Sequence, residues 1–171
     1  MNEERQERLK PKREELREVV SHEDQRKARQ ALLDKLEANH ESYGIIWAEN
    51  PIINHVLQWV EDNFPFTADG RIDWDKAQDC FSTDWKDESE ICEKVSQIIS
   101  EKQLGNPNVL VIWNDAKSLC LRMHLLAIAK YANSTFWNSD AWIVCQDAAG
   151  WVIENNHDGT ISFCRMNKWN K

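Results

Sequence analysis

Apolar residues recur along this chain with two different spacings, and the change from one to the other divides it. Up to residue 104 they fall three and four apart, the helical period. Leu9, Leu16, Val19 and Val20 make a sparse stripe, and Ala31, Leu32, Leu33 and Leu36 a denser one. Pro11 interrupts the first, and Ser21-His22-Glu23-Asp24 reads as a cap between the two, so residues 1–41 are predicted to form a helical hairpin. Tyr43-Gly44-Ile45-Ile46-Trp47 then leads into Asn50-Pro51, a cap followed by proline at the first helical position. Ile52, Ile53, Val56, Leu57 and Val60 predict a helix over 52–64 that ends at Pro65 and Asp69-Gly70. Residues 73–81 and 88–104 are the next helical candidates, the latter with Ile91, Val95, Ile98 and Ile99 on one face and a stop at Gly105.

After Gly105-Asn106-Pro107 the pattern tightens. Val109-Leu110-Val111-Ile112-Trp113 is an unbroken apolar run rich in β-branched side chains, which suits a strand buried on both faces. Leu119, Met123, Leu126 and Ala127 return to helical spacing behind a cap at Asn114 or Asp115, predicting a helix over 116–131. Three strand-like runs follow, at 142–145, 151–154 and 161–163, separated by Asp147 to Gly150 and by His157-Asp158-Gly159. Those separators read as hairpin turns, because glycine supplies a positive φ and Asp or Asn caps the turn. The expected fold is α+β, a helical N-terminal layer packed with a small mixed sheet in strand-helix-strand-strand-strand order. A right-handed crossover would make the first two strands parallel and the tight turns would make the later pairs antiparallel. Trp142, Val144, Trp151, Ile153, Ile161 and Phe163 are expected on one buried face.

At 171 residues with 42% hydrophobic and 29% charged positions, the chain can bury a core. Residues 1–41 read as a charged helical hairpin, 42–105 as an acidic helical layer and 106–171 as a small α/β sheet unit, with 42–171 forming one globular domain. No window approaches the roughly 20 apolar residues of a membrane span, and the first 41 residues are too charged in both signs for a secretory signal. Cysteines at 80, 92, 120, 145 and 164 are odd in number and show no C-x-x-C pair, so they read as reduced thiols of a cytoplasmic protein. Nine tryptophans are many for this length, and most are expected in packing.

Charge changes this picture most. The net charge is −1 for residues 1–41, −8 for 42–105 and +1 for 106–171, so the middle carries the whole imbalance. There Asp69, Asp73, Asp75, Asp79, Asp84, Asp87 and Glu88 are interleaved with Trp74 and Trp85. Part of this acidity is what a solvated face and a helix start would carry. It also describes a surface for a basic protein, with carboxylates for steering and indoles as anchors. Phosphate would be repelled, so direct nucleic-acid binding is not expected.

Reactive constellations are sparse. Cys120 and His124 sit i,i+4 on the predicted core helix, where a structural thiol is the ordinary reading. Glu154, His157 and Asp158 could form an acid/base or metal group, but polar residues beside a hairpin are commonly turn chemistry. His55 reads as a histidine at the edge of the core. There is no phosphate loop, serine elbow or His-x-x-x-His, and neither catalysis nor a cofactor or metal is expected. Alanine at Cys120, His124, His157 or Glu154 is therefore expected to leave activity intact wherever folding survives.

The run Asp140 to Cys145, followed by Gly150 to Phe163, resembles the C-terminal hairpins of small bacterial immunity proteins of contact-dependent growth inhibition and related polymorphic toxin systems. The resemblance spans Val109 to Arg165 and rests on hairpin-forming residues. It implies a cytoplasmic antitoxin that neutralises a cognate toxin domain, often a nuclease, by binding it without catalysis. The charged amino-terminal hairpin lies outside the resemblance and keeps a second reading open: a regulatory or adaptor protein of phage or mobile-element origin that uses residues 1–41 to contact another chain.

Overall fold

Val111 lies at the centre of the sheet, opposite Leu121 on one neighbouring strand and Ile143 on the other. The computed structural model describes residues 21–67, 72–77, 80–114, 118–136, 139–146 and 150–166. Their strands are β1 (Tyr43–Ile46), β2 (Phe81–Asp84), β3 (Asn108–Trp113), β4 (Cys120–His124), β5 (Ala141–Cys145), β6 (Trp151–Asn156) and β7 (Thr160–Arg165). They form one seven-stranded sheet in the order β1-β4-β3-β5-β6-β7-β2, with each neighbouring pair antiparallel. The helices are α1 (residues 21–28), α2 (Gln30–Ala38), α3 (Pro51–Asn63), α4 (Glu90–Glu101), α5 (Leu125–Lys130) and α6 (Ala132–Phe136).

Helices cover both faces of the sheet. On one side Leu32, Leu33 and Leu36 of α2, Ile91, Val95 and Ile98 of α4, and Leu125 and Ile128 of α5 meet Val111, Ile143, Ile153 and Phe163. On the other, Ile53, Val56 and Val60 of α3 meet Leu110, Ile112, Trp142, Val144 and Val152. The start of α3 is built as its sequence predicts, with Asn50 Oδ1 accepting the Ile52 amide at 3.0 Å and Pro51 at the first position. The α1 turn is held at the exit of β1. There His22 stacks on Trp47 at 4.1 Å and hydrogen-bonds Glu49, while the Gln25 side-chain oxygen accepts the Ala48 amide at 3.0 Å. The first helix of the expected hairpin lies largely outside the described residues. Its second helix is not a free arm, since its three leucines are buried in the main core.

The sheet is antiparallel, not mixed, and the reason lies in residues 116–131. These were expected as one helix, yet Cys120–His124 is a strand and the helical segment starts only at Leu125. Leu119, Leu121 and Met123 are also apolar at period two, with Arg122 exposed between the last two and His124 exposed after them. The segment therefore satisfies both periods, and pairing with β1 and β3 decides it. Because β4 reverses the chain, α5 and α6 cross over from β4 to β5 rather than from β3. The strand–helix–strand crossover exists one strand later than expected, and it straddles β3.

Two further expectations are corrected. The described residues of 73–81 form no helix; a turn over 74–76 precedes β2, which pairs in register with β7 from Phe81↔Phe163 to Asp84↔Thr160. The six hairpin residues are all buried but do not share a face. Ile143↔Ile153 and Cys145↔Trp151 are cross-strand pairs, which places Trp151, Ile153, Ile161 and Phe163 on the helix-rich side and Trp142 and Val144 on the α3 side. Every residue of β5 is buried, so its sequence carries no polar alternation to fix the register.

The cysteines also depart from the expectation of five separate thiols. Cys80 directly precedes β2 and lies opposite Cys164 of β7, with Cα atoms 4.5 Å apart, and the two are joined in a disulfide. That separation is the one typical of a non-hydrogen-bonded antiparallel pair, so the β2–β7 register itself brings the sulfurs together. Cys120 and Cys145 are buried and Cys92 is half-buried.

Candidate partner-binding surface

The acidic residues singled out in the sequence do not lie on one flat face. They follow the chain as it passes round the β2 edge of the sheet, from the α3 side to the helix-rich side. Asp69 and Asp79 lie outside the described residues.

On the α3 side the segment is tied to the sheet at several points. The Asp73 amide donates to Pro65 O at 2.8 Å, next to an isolated bridge between Phe66 and Ile72. Trp74, half-buried, donates its indole N–H to one oxygen of Glu154, while Trp142 donates to the other at 2.6 Å. Glu154 is only 9% exposed, so its charge is compensated by hydrogen bonds in the interior rather than by water. Phe66 packs edge-on against Trp142 at 6.1 Å and closes the cluster. The disulfide at Cys80 fixes the far end of the segment to β7. Asp73 is largely spent locally, since Lys76 Nζ sits 2.6 Å from its carboxylate and holds that carboxyl below the usual range. Asp75 is exposed.

On the far side of β2 the geometry differs. Asp84 is exposed at the end of the edge strand and accepts a hydrogen bond from the Thr160 hydroxyl at 3.3 Å. Trp85 joins the helix-rich core, its amide bonded to Gly159 O at 2.8 Å and its indole N–H to Asn155 Oδ1 at 3.1 Å. Asn155 is fully buried and donates in turn to Ser139 O at 3.1 Å. Gly159 has φ +99°, and a Cβ there would lie 3.0 Å from Trp85 O, so the tight turn and the approach of Trp85 both require glycine. Asp87 accepts the Ser89 amide at 2.9 Å in the turn before α4, and these Ser89 hydrogen bonds hold its carboxyl below the usual range. Glu88 is half-buried beside it.

The two indoles thus point inward, on opposite sides of the sheet, and support the backbone that carries the exposed carboxylates. The other candidate groups are dispersed. Cys120 and His124 stand four residues apart on a strand, about 13 Å along it, too far to act on one another. His157 donates its backbone N–H to Asp140 Oδ1 and has Nδ1 2.7 Å from the same oxygen, which is turn chemistry. Glu154 is occupied with the tryptophans. His55 is exposed rather than at the core edge. Among the described residues no group of three His, Cys, Asp or Glu could hold a metal, and no helix is long and apolar enough to cross a membrane. Glu154 and Asn155 are the residues that sequence reasoning undervalued. Their signal was a polar pair at the end of an otherwise apolar strand run, Trp151-Val152-Ile153.

The model of one protein family, described as CdiI immunity protein, EcoliA0-like, matches residues 37–164 of this chain. A comparison with curated proteins finds no match. The matched span takes in β1 to β6 and β7 up to Cys164, with both indole-supported segments and the disulfide.

Proposed function

Since the chain belongs to the CdiI immunity protein family, we propose that it neutralises a basic toxin domain, a nuclease, by non-catalytic binding in the cytoplasm through the carboxylates wrapped around the β2 edge. The observation that carries this reading is the concentration of the whole charge of −8 in residues 42–105, together with the exposure of Asp75, Asp84 and Asp87 on segments pinned to the sheet. By position in the sequence, Asp69, Asp79 and Glu88 belong to the same band and Asp73 contributes less, because Lys76 already occupies it. A domain that binds nucleic acid presents a basic surface, and a carboxylate band of this kind competes for it and accelerates encounter.

Trp74 and Trp85 serve this surface from behind. Each spends its indole N–H inside the molecule, so its contribution is to hold the acidic backbone in one geometry before the partner arrives, which lowers the ordering cost of binding.

The test begins by co-purifying the chain from native lysate, identifying the bound protein and producing its domain. Reversal of Asp75, Asp84 and Asp87 to Lys is expected to lower the association rate by roughly ten- to a thousandfold at low salt. In stopped-flow series the difference from the natural chain should vanish near 1 M salt, where screening falls to about 3 Å. Association that ignores all three reversals would overturn the site.

A further inference from the structure

A cleft of about 360 Å³ opens on the α3 side, between the first turns of α3 and the ends of β3, β4 and β5. Ile53, Leu57, Ile112 and Trp142 wall it, and Asn54 and Asn114 stand among its lining residues. Both Asn residues are exposed, and among the described residues their side-chain amides have no hydrogen-bond partner. The Trp142 wall is fixed in place, because its indole N–H is held by Glu154 and its ring is backed by Phe66. On the other flank Ser118 accepts a hydrogen bond from Arg29 at 2.9 Å, and that guanidinium lies 4.5 Å over the Trp113 ring.

The volume is at the small end of ligand pockets, which run from about 300 to 1,000 Å³. Four apolar walls with unbonded amides beside them fit a flat apolar group that carries one polar atom on its edge. Tyrosine and tryptophan side chains have that chemistry, and they are the commonest anchors of protein interfaces. One carboxylate stands beside the cleft: Glu49 follows Ala48 of the wall, half-exposed and hydrogen-bonded by His22 and Gln25. The cleft also lies level with the acidic band. The register Ala141↔Asn155↔Ile161↔Thr83 runs straight from β5 to β2, three strand spacings or about 14 Å. One partner surface of ordinary size can reach both.

We propose that this cleft receives one tyrosine or tryptophan side chain of the basic partner, an anchor that slows dissociation while the carboxylates govern encounter. The proposal rests on the reading of the partner as a basic protein, and its test separates the two. N-acetyl-tyrosinamide and N-acetyl-tryptophanamide are titrated into the full chain labelled with ¹⁵N, with N-acetyl-glycinamide as control. The expected result is saturable shifts at the side-chain amides of Asn54 and Asn114 and at the Trp142 indole with the aromatic probes alone. Leu57→Trp, which fills the cleft, should abolish them. The paired variant Asn54→Ala and Asn114→Ala should weaken them with the fold retained, and it decides the matter if Leu57→Trp does not fold. Against the captured partner domain, cleft variants should raise the dissociation rate about 30-fold, which corresponds to about 2 kcal/mol, and leave the association rate unchanged at every salt. Aromatic probes that shift none of these resonances, or dissociation that ignores the cleft variants, would overturn the anchor. The charge-reversal result would stand unaffected in either case.

Discussion

One face of the sheet carries α2, α4, α5 and α6 and the other carries α3 with residues 65–67 and 72–77, and the two covers differ in chemistry as well as in bulk. Under the helices the contacts are mainly aliphatic and aromatic, with Leu33, Leu36, Ile91, Ile98, Leu125 and Ile128 wholly removed from water and a polar exception at Asn155. Under α3 the apolar layer contains a carboxylate, Glu154, held between two indoles, and leaves a cleft beside Trp142. The first cover stores stability in packing that any large apolar side chain of the right shape could supply. The second depends on specific hydrogen bonds and, together with Trp85 at the β2 edge of the first, supports the backbone of the proposed surface. A protein that must fold reliably and also recognise one target can place these demands on opposite sides of a single sheet.

Truncation under the helices should break this comparison most forcefully if it is wrong. Ile98→Ala on α4 is expected to cost about 2–5 kcal/mol in urea denaturation, as a buried large-to-small change does. Binding kinetics should hardly move under conditions where the variant stays folded. A large change in partner dissociation from Ile98→Ala would mean that the packing under α4, and not Trp85 alone on that side, shapes the recognition surface.

Glu154→Gln sharpens the comparison from the other side. The amide keeps one acceptor oxygen for an indole and turns an NH₂ toward the other, so one buried donor loses its partner at a cost of about 1–3 kcal/mol. Hydrogen exchange at the Asp73 amide, bonded to Pro65 O, should accelerate as the segment loosens. This cost falls on stability and on the order of the segment; for activity, Glu154 keeps the same expectation as Cys120, His124 and His157, intact wherever folding survives. Unchanged exchange at Asp73 together with unchanged stability would show that the segment is held by its disulfide and bridge alone.

The smallest effect belongs to an ion pair at the rim of the helix-rich side. Lys130 on α5 bonds Glu41 at 2.9 Å, and the hydrogen bond from Lys130 keeps the Glu41 carboxyl below the usual range. Its contacts with Tyr131 and Glu41 push Lys130 up to about 12. A depressed carboxyl contributes stability that is full above its unfolded pKa and is lost as pH falls through the lower native value. A raised ammonium contributes below its unfolded pKa, and that share is lost as pH rises through about 12. Carbon-13 titration of the Glu41 carboxyl should give a midpoint below the ordinary value of about 4.3. An ordinary midpoint would remove the pair from the account.

What could be read from the sequence divides along the same physical lines. α3 and α4 were legible because local signals, a cap with proline after it and an apolar stripe at 3.6 spacing, agreed with the tertiary environment. β5, β6 and β7 were legible from their apolar runs and from the turn at His157-Asp158-Gly159, while the turn expected over 147–150 lies largely outside the described residues. β4 was not, because Leu119 to Met123 fits two periods and only the neighbouring strands choose between them. β1 and β2 have four residues each, and it is the sheet edge that makes them strands. The carboxylates of the surface could be counted in the sequence. The inward aim of Trp74 and Trp85 could not, since their acceptors stand 80 and 70 positions away. The Cys80–Cys164 bond was hidden for the same reason: it follows from a strand pairing that no local pattern announces.

That bond has a topological consequence. Its two ends are 84 positions apart, and β2 through β7, with α4, α5 and α6, lie on the span between them. This part of the backbone is therefore a covalent ring, and residues 21–67 form a tail that leaves it. A single scission anywhere in the ring opens it without parting the pieces, whereas one in the tail leaves a fragment held by packing and strand pairing alone. Losing a strand from the ring takes a second cut or reduction of the disulfide, so the strands beneath the acidic band are the portion of the molecule hardest to remove by proteolysis.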